Sequence, residues 1–253
     1  MNDPFTVPFT SYAESVPQAL EGLGAAAFLA GQRCVLLKPN LVSDSPHPVT
    51  THPEMARAVV EYVRTCSQAR IVIGEGTGAA GQDTFEIFRA LGWDRLAREL
   101  GVELMDLNEA ELVTRSDPSC TVFPQMHLPR LAFESCIVSL PVLKVHSLAG
   151  ITGTLKNMMG FAPPKHYGGR YGSWKKAVFH GRMQASIKDL NRYILPQLTV
   201  MDASVGLADF HLGGATCKPP VGKILAGFDP YAMDREAARL LSVDPKSVGH
   251  LWP

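Results

Sequence analysis

The clearest pattern in this chain is a recurring unit: a short, fully apolar run, then a Gly- or Pro-rich turn, then a stretch with helical apolar spacing. "RCVLLKPNLV" opens as a continuous apolar run, as expected of a strand buried on both faces, and meets Pro39 and Asn40 at its end. Beyond the loop "SDSPHPVT", Thr51 and Glu54 have capping-box spacing, and Met55, Val59, Val60 and Val63 give the next segment one apolar stripe. "ARIVIGEGTGAAGQD" repeats the unit, with Asp83 and Glu86 spaced to cap a helix that stops near Gly92. "WDRLAREL" predicts a further helix and "VELMDLN" a further strand. Residues 33–107 therefore alternate β and α, which predicts an α/β fold: a mostly parallel sheet flanked by helices, with ligands collecting at strand C-terminal ends.

From 108 to 132 the pattern weakens, and "FPQMHLPRLAF" fits either a hairpin or a loop excursion. "SCIVSLPVLKVHS" restores a strand, and "ITGTLKNMMG" predicts a short helix closed by Gly160. Residues 161–183, rich in Gly, aromatic and basic side chains without a sustained period, predict a long lid loop. A helix around 184–194, strands at "LTVMDA" and "KILAGF", and a helix beginning at "DPYAMDREAARLL" complete a single α/β domain. Asp229 and Pro230 read as that helix's N-cap and first residue.

Within this frame, residues 143–160 place Lys144, His146 and Lys156 among Leu, Val, Ile and Met, where uncompensated charge is costly. A strand period of two puts Lys144 and His146 on one face. A helix beginning at Ile151 would align Thr152 with Lys156 and leave Asn157 on the neighbouring face, beside free backbone N–H groups suited to an anion. Lys38 and Asn40 at one strand exit, Glu75 at the next and Asp202 at a third add polar groups to the same end of the sheet. His52 sits beside a helix start, and His166 and Tyr167 lie in the lid with His180, Tyr171 and Trp174. Taken singly, several have plain structural roles: a lysine at a strand end snorkels to solvent, His146 can bond a backbone carbonyl, and Glu75 or Asp202 can brace a turn.

The chain has 253 residues and 46% hydrophobic content, enough for a substantial core, and 24 basic against 24 acidic side chains. That balance gives no general attraction to nucleic acid or anionic membrane. Five scattered cysteines without a CxxC pair predict neither a disulfide framework nor an iron–sulfur cluster, and suit a reducing cytoplasm. The N-terminus does not read as a signal peptide, and no apolar run reaches the length of a membrane span. "GEGTGAAG" lacks the GxGxxG spacing and the Lys-Ser/Thr of a P-loop, and neither HExxH nor GxSxG occurs. No ligand spacing marks a metal site. A divalent metal held by distant residues such as His146, Glu75 and Asp202 stays open.

The blocks "LLKPNLV", "VTTHPEMARAVVEYV", "LPVLKVHSLAGITGTLKNMMG", "LTVMDA" and "GFDPYAMDREAARLL" resemble, in order, those of the DUF362 family, named for its unknown function. The resemblance implies an α/β fold and carries the family's signature onto Lys38, Pro39, Asn40, His52, Pro53, Lys144, His146, Thr152, Lys156, Asn157 and Asp202. Many members add a ferredoxin-like iron–sulfur segment; this chain lacks its cysteines. The leading expectation is a redox-neutral enzyme, an isomerase, cyclase or lyase of biosynthetic metabolism. It would act on a small anionic molecule that Lys38, Lys144 and Lys156 hold while His146 or Glu75 moves a proton, or that a desolvated lysine attacks. A metal- or metallocofactor-dependent enzyme and a non-catalytic ligand-binding module are the alternatives.

Overall fold

The computed structural model describes residues 3–169 and 175–253. Eleven strands appear there: β1 (Phe5–Pro8), β2 (Cys34–Pro39), β3 (Arg70–Glu75), β4 (Glu103–Asp106), β5 (Leu112–Ser116), β6 (Gln125–Pro129), β7 (Cys136–Leu140), β8 (Val142–His146), β9 (Gly150–Thr152), β10 (Leu198–Leu207) and β11 (Lys223–Gly227). Nine form one sheet in the order β1-β11-β10-β7-β2-β3-β4, with β8 paired to both β10 and β9. From β10 to β4 every neighbouring pair is parallel; β1, β11 and β9 pair antiparallel. The expected mostly parallel α/β sheet is therefore present, and β5 and β6 resolve the open alternative at 108–132 as an antiparallel hairpin.

The apolar runs face both ways because successive side chains alternate across a strand. Val35, Leu37, Ile71, Ile73 and Val138 pack against helices Tyr12–Leu23, Pro53–Cys66, Thr84–Ala90 and Trp93–Leu100. Leu36, Val72, Ile137 and Met201 face a second layer with Met158, Phe161, Ile187 from helix Met183–Tyr193 and Met233 from helix Pro230–Leu240. Lys38 shares the parity of Leu36 and so enters this second layer, fully buried.

Local capping agrees with the sequence at Asp83, where both halves of the box with Glu86 form. It departs at Thr51. The N-cap of helix Pro53–Cys66 is His52, whose Nδ1 accepts from Glu54 N, while the Thr51 hydroxyl donates to Leu140 O and accepts from Asn40 N. Thr51 is drawn away because its hydroxyl bridges the ends of β7 and β2, donating to one backbone and accepting from the other. The segment expected to be a lid loop is helical over most of its described length, with turns at Met158–Phe161, Pro164–Tyr167 and Ala177–Arg182. Phe161, Tyr167 and Phe179 anchor it in the second core layer. Tyr171 and Trp174 lie outside the described residues.

Candidate functional site

Parallel register sets the first part of the site. Leu37 pairs with Ile73, so the next residues bring Lys38 and Glu75 together at the strand ends, with Nζ 2.6 Å from Oε1. Both are buried, and burial holds the Lys38 pKa below its ordinary value although Glu75 opposes the shift. Glu75 also accepts from Leu41 N at 2.9 Å and Gly76 N at 2.8 Å, so its oxygens are committed to holding the corner. The backbone closes over this pair at Gly160, where a Cβ would sit 2.3 Å from both Glu75 Oε1 and Lys38 Cε. Gly160→Ala is therefore expected to lower stability by about 1–3 kcal/mol, read as a drop of several degrees in the thermal midpoint; an unchanged midpoint would mean that the backbone yields there freely.

The second part is a hairpin that the sequence did not predict. Gly150, at φ 81°, turns β8 back into β9, which pairs Lys144 with Thr152. Thr152 is thus a strand residue, and the helix starts only at Thr154. The reason is Asp234: its carboxylate accepts from Thr154 N at 2.6 Å and Leu155 N at 2.8 Å, and a Cβ at Gly153 would collide with it. The backbone N–H groups expected to face an anion are already occupied by this buried side chain, whose pKa burial pushes up to about 6. The short helix then presents Lys156 to the cleft and Asn157 to the strands.

Asn157 ties the two parts together. Its Nδ2 donates to Lys38 O at 2.9 Å and Ser139 Oγ at 3.1 Å, and its Oδ1 accepts from Asn40 Nδ2 at 3.2 Å. Asn40 Oδ1 in turn accepts from Lys144 Nζ at 2.6 Å, and Lys144 also donates to Val49 O at 2.6 Å. In its ammonium form Lys144 thereby uses two N–H groups and keeps one for a ligand. Burial and the Lys156 charge hold the Lys144 pKa well below its ordinary value.

These groups line one cleft, open to solvent at its mouth. Lys38, Asn40, Glu75, Lys144, His146, Thr152, Lys156 and Asn157 all reach it. His146 Nδ1 accepts from Leu148 N at 3.1 Å and Ala149 N at 3.2 Å, which assigns the neutral ring's proton to Nε2. Burial and the Lys156 charge push its pKa down to about 2. His146 is thus held neutral with Nε2–H as the ring's donor, an orientation suited to meeting a ligand oxygen. Lys156 makes no hydrogen bond or ion pair among the described residues, and burial with the nearby Lys38 charge lowers its pKa to about 8.

Sequence reasoning missed two cleft residues. Lys176 Nζ donates to Asn108 Oδ1, Gly160 O and Ala162 O, and burial lowers its pKa to about 7. His211 stacks on His146 with centroids 3.8 Å apart, and its buried Nδ1, like Thr152 Oγ1, has no partner. Lys176 was hidden in an aperiodic basic stretch and His211 in a Gly-rich one, so neither carried a local signal. His180, expected in a lid, lines the cleft mouth.

Four expected residues lie elsewhere. His52 caps its helix and stacks on Tyr12 at 5.1 Å. Asp202 accepts from Tyr12 OH at 2.7 Å and Ser204 N and Oγ, with His47 Nε2 3.1 Å away, so its oxygens face a separate cluster. His166 is exposed and stacks on His127, and the Tyr167 hydroxyl accepts from His127 N inside an aromatic cluster with Phe123 and Phe179. The distant metal set fails with Asp202, and among the described residues no three His, Cys, Asp or Glu side chains converge as metal ligands. No helix there is long and apolar enough to cross a membrane.

The fold is similar to that of the lactate racemase apoprotein from Thermoanaerobacterium thermosaccharolyticum, at a TM-score of 0.56 and 16% identity over 92% of this chain. This chain spans 55% of that structure's length. A search of curated proteins gives no match. The sequence profile of the domain of unknown function DUF362 matches residues 35–239, most of the chain and a span that contains every cleft residue named above. The chain belongs to the DUF362 family.

Proposed function

We propose that the protein is a redox-neutral enzyme that binds a small carboxylate and moves the proton on the adjacent carbon. The observation that carries this reading is the charge of the cleft: Lys38, Lys144, Lys156 and Lys176 line it against Glu75, the one carboxylate there among the described residues. Excess cationic charge out of bulk water is costly until an anion neutralises it. Lys144, oriented by Asn40 and Val49, offers its remaining N–H to a carboxylate oxygen, and the His146 Nε2–H can meet a second. The fraction of Lys156 that is neutral in the complex takes the α-proton onto Nζ, so exchange draws on the minor protonation state that the bound carboxylate disfavours, and the electron pair left on carbon delocalises into the carboxylate, where the Lys144 and His146 donors stabilise it. Return of the proton from Nζ after the planar intermediate has turned its other face to Lys156 isomerises the substrate; departure of a β-substituent with the electron pair, the proton staying on Nζ, completes an elimination. The likeness to a racemase fold agrees with the first outcome. His146, His180 and His211 all line the cleft, but among the described residues no three histidine, cysteine or carboxylate side chains converge as metal ligands, so no step is routed through a metal.

The test is exchange of the α-proton in D2O, followed by proton NMR over a panel of short 2-hydroxy, 2-oxo and unsubstituted carboxylates, lactate included. Lys156-dependent exchange with at least one acid is expected. Saturable, Lys156-dependent binding without exchange across the panel would replace the enzyme by a ligand-binding module.

A further inference from the structure

The cleft is not uniformly polar. Leu41, Val42 and Met159 form part of its wall, and two large apolar side chains stand exposed beside residues that line it: Phe210, 45% exposed with its ring 5.0 Å from that of His211, and Leu148, 51% exposed and sharing a neighbouring depression with His180. Leu148 belongs to the hairpin turn whose N–H groups fix His146. His180 lines both this cleft and a neighbouring depression that contains Leu148 and Met183, so the apolar surface continues outward past His180. Exposed Phe and Leu side chains bordering a polar cleft mark a surface that an apolar group covers.

From this arrangement we infer that the substrate is an amphipathic carboxylate: an anionic head seated between Lys144 and Lys156, with an aliphatic or aryl arm lying over Met159, Phe210 and Leu148. The inference rests on the carboxylate reading above and adds its substrate class. The cleft opens to solvent, so an arm can leave it along this apolar surface while the head stays among the lysines. Burial of each methylene strengthens binding about fourfold when complete, and a shelf open on one side captures part of that.

The experiment compares acetate, hexanoate and phenylacetate by isothermal titration calorimetry on the whole chain. Hexanoate and phenylacetate are expected to bind about tenfold or more tightly than acetate. The ratio of hexanoate to acetate affinity should shrink to within about threefold in the Phe210→Ser, Leu148→Ser double variant. Both positions are exposed, so the variant keeps its core, and Phe85→Ser, also exposed but on helix Thr84–Ala90 away from the cleft, should leave the ratio unchanged. Equal binding of acetate and hexanoate, or a preference that survives the double variant, overturns the amphipathic class while the carboxylate reading stands. Failure of all three acids to bind, or binding indifferent to Lys156→Met, overturns both.

Discussion

Replacing Lys156 with methionine is expected to weaken carboxylate binding by about ten- to hundredfold, the worth of a charged hydrogen bond in a partly desolvated site. Methionine preserves the apolar stem, so lost packing does not explain the change. The pH dependence identifies the group. With a pKa lowered to about 8 in the empty cleft, Lys156 is mostly protonated at pH 7 and mostly neutral at pH 9. A carboxylate favours the ammonium, so binding takes up a proton above pH 8 and affinity should fall by about tenfold per pH unit there. Below pH 8 the group is already charged and contributes no slope. In Lys156→Met that inflection should vanish, while one near pH 7 from Lys176 should persist. Lys156→Arg separates binding from chemistry: the charge remains at all these pH values, but a guanidinium does not accept the α-proton. It should bind carboxylates and exchange their α-proton at least about a hundredfold more slowly. Calorimetry across pH 6–10 and proton exchange by NMR supply both readings, and an affinity flat through pH 8 would remove Lys156 from the binding site.

Removing the Glu75 carboxylate should be the most destabilising single change at the site. Glu75→Ala leaves Lys38 fully buried beside no anion and strips the acceptor from Leu41 N and Gly76 N. Loss of one partner from a buried ion pair costs about 3–5 kcal/mol, measurable as a lower denaturant midpoint. The sign of its pH dependence follows from Lys38, whose pKa is already below the ordinary lysine value and would fall further without Glu75. A neutral Lys38 in the fold against a charged one in the unfolded chain costs stability, and the cost fades as pH rises toward the unfolded lysine's pKa. The deficit of Glu75→Ala should therefore shrink between pH 8 and pH 10. Lys38→Met combined with Glu75→Leu should recover much of the lost stability, because well-packed apolar groups replace a buried pair with little net cost. A Glu75→Ala variant as stable as the parent would show that the pair does not hold the corner.

The strands and helices were legible wherever periodicity is local: β2, β3, β7, β10, the box at Asp83 and Glu86, and the Asp229 cap all follow from spacing along the chain. The β8–β9 hairpin was not, because "ITGTLKNMMG" contains residues acceptable in a helix from its first position. What stops that helix is a buried carboxylate 80 residues away, which reaches Thr154 N and fixes where the turn begins. Lys38, Glu75, Lys144, Lys156 and Asn157 could be singled out as costly polar groups in apolar context. Nothing local distinguished them from Asp202, which has the same placement at a strand but faces Tyr12 and Ser204.

Sequence by itself thus determined the α/β alternation, the polar residues brought to the strand exits, and membership of a family defined by those segments. The tertiary structure decided which of those residues meet. Sheet order and register place Lys38 against Glu75, Asn157 between Lys38 and Asn40, and Lys156 alone in a cleft with no partner among the described residues. Partner choice depends on contacts between segments dozens of residues apart, and a local pattern of apolar and polar positions carries no record of them.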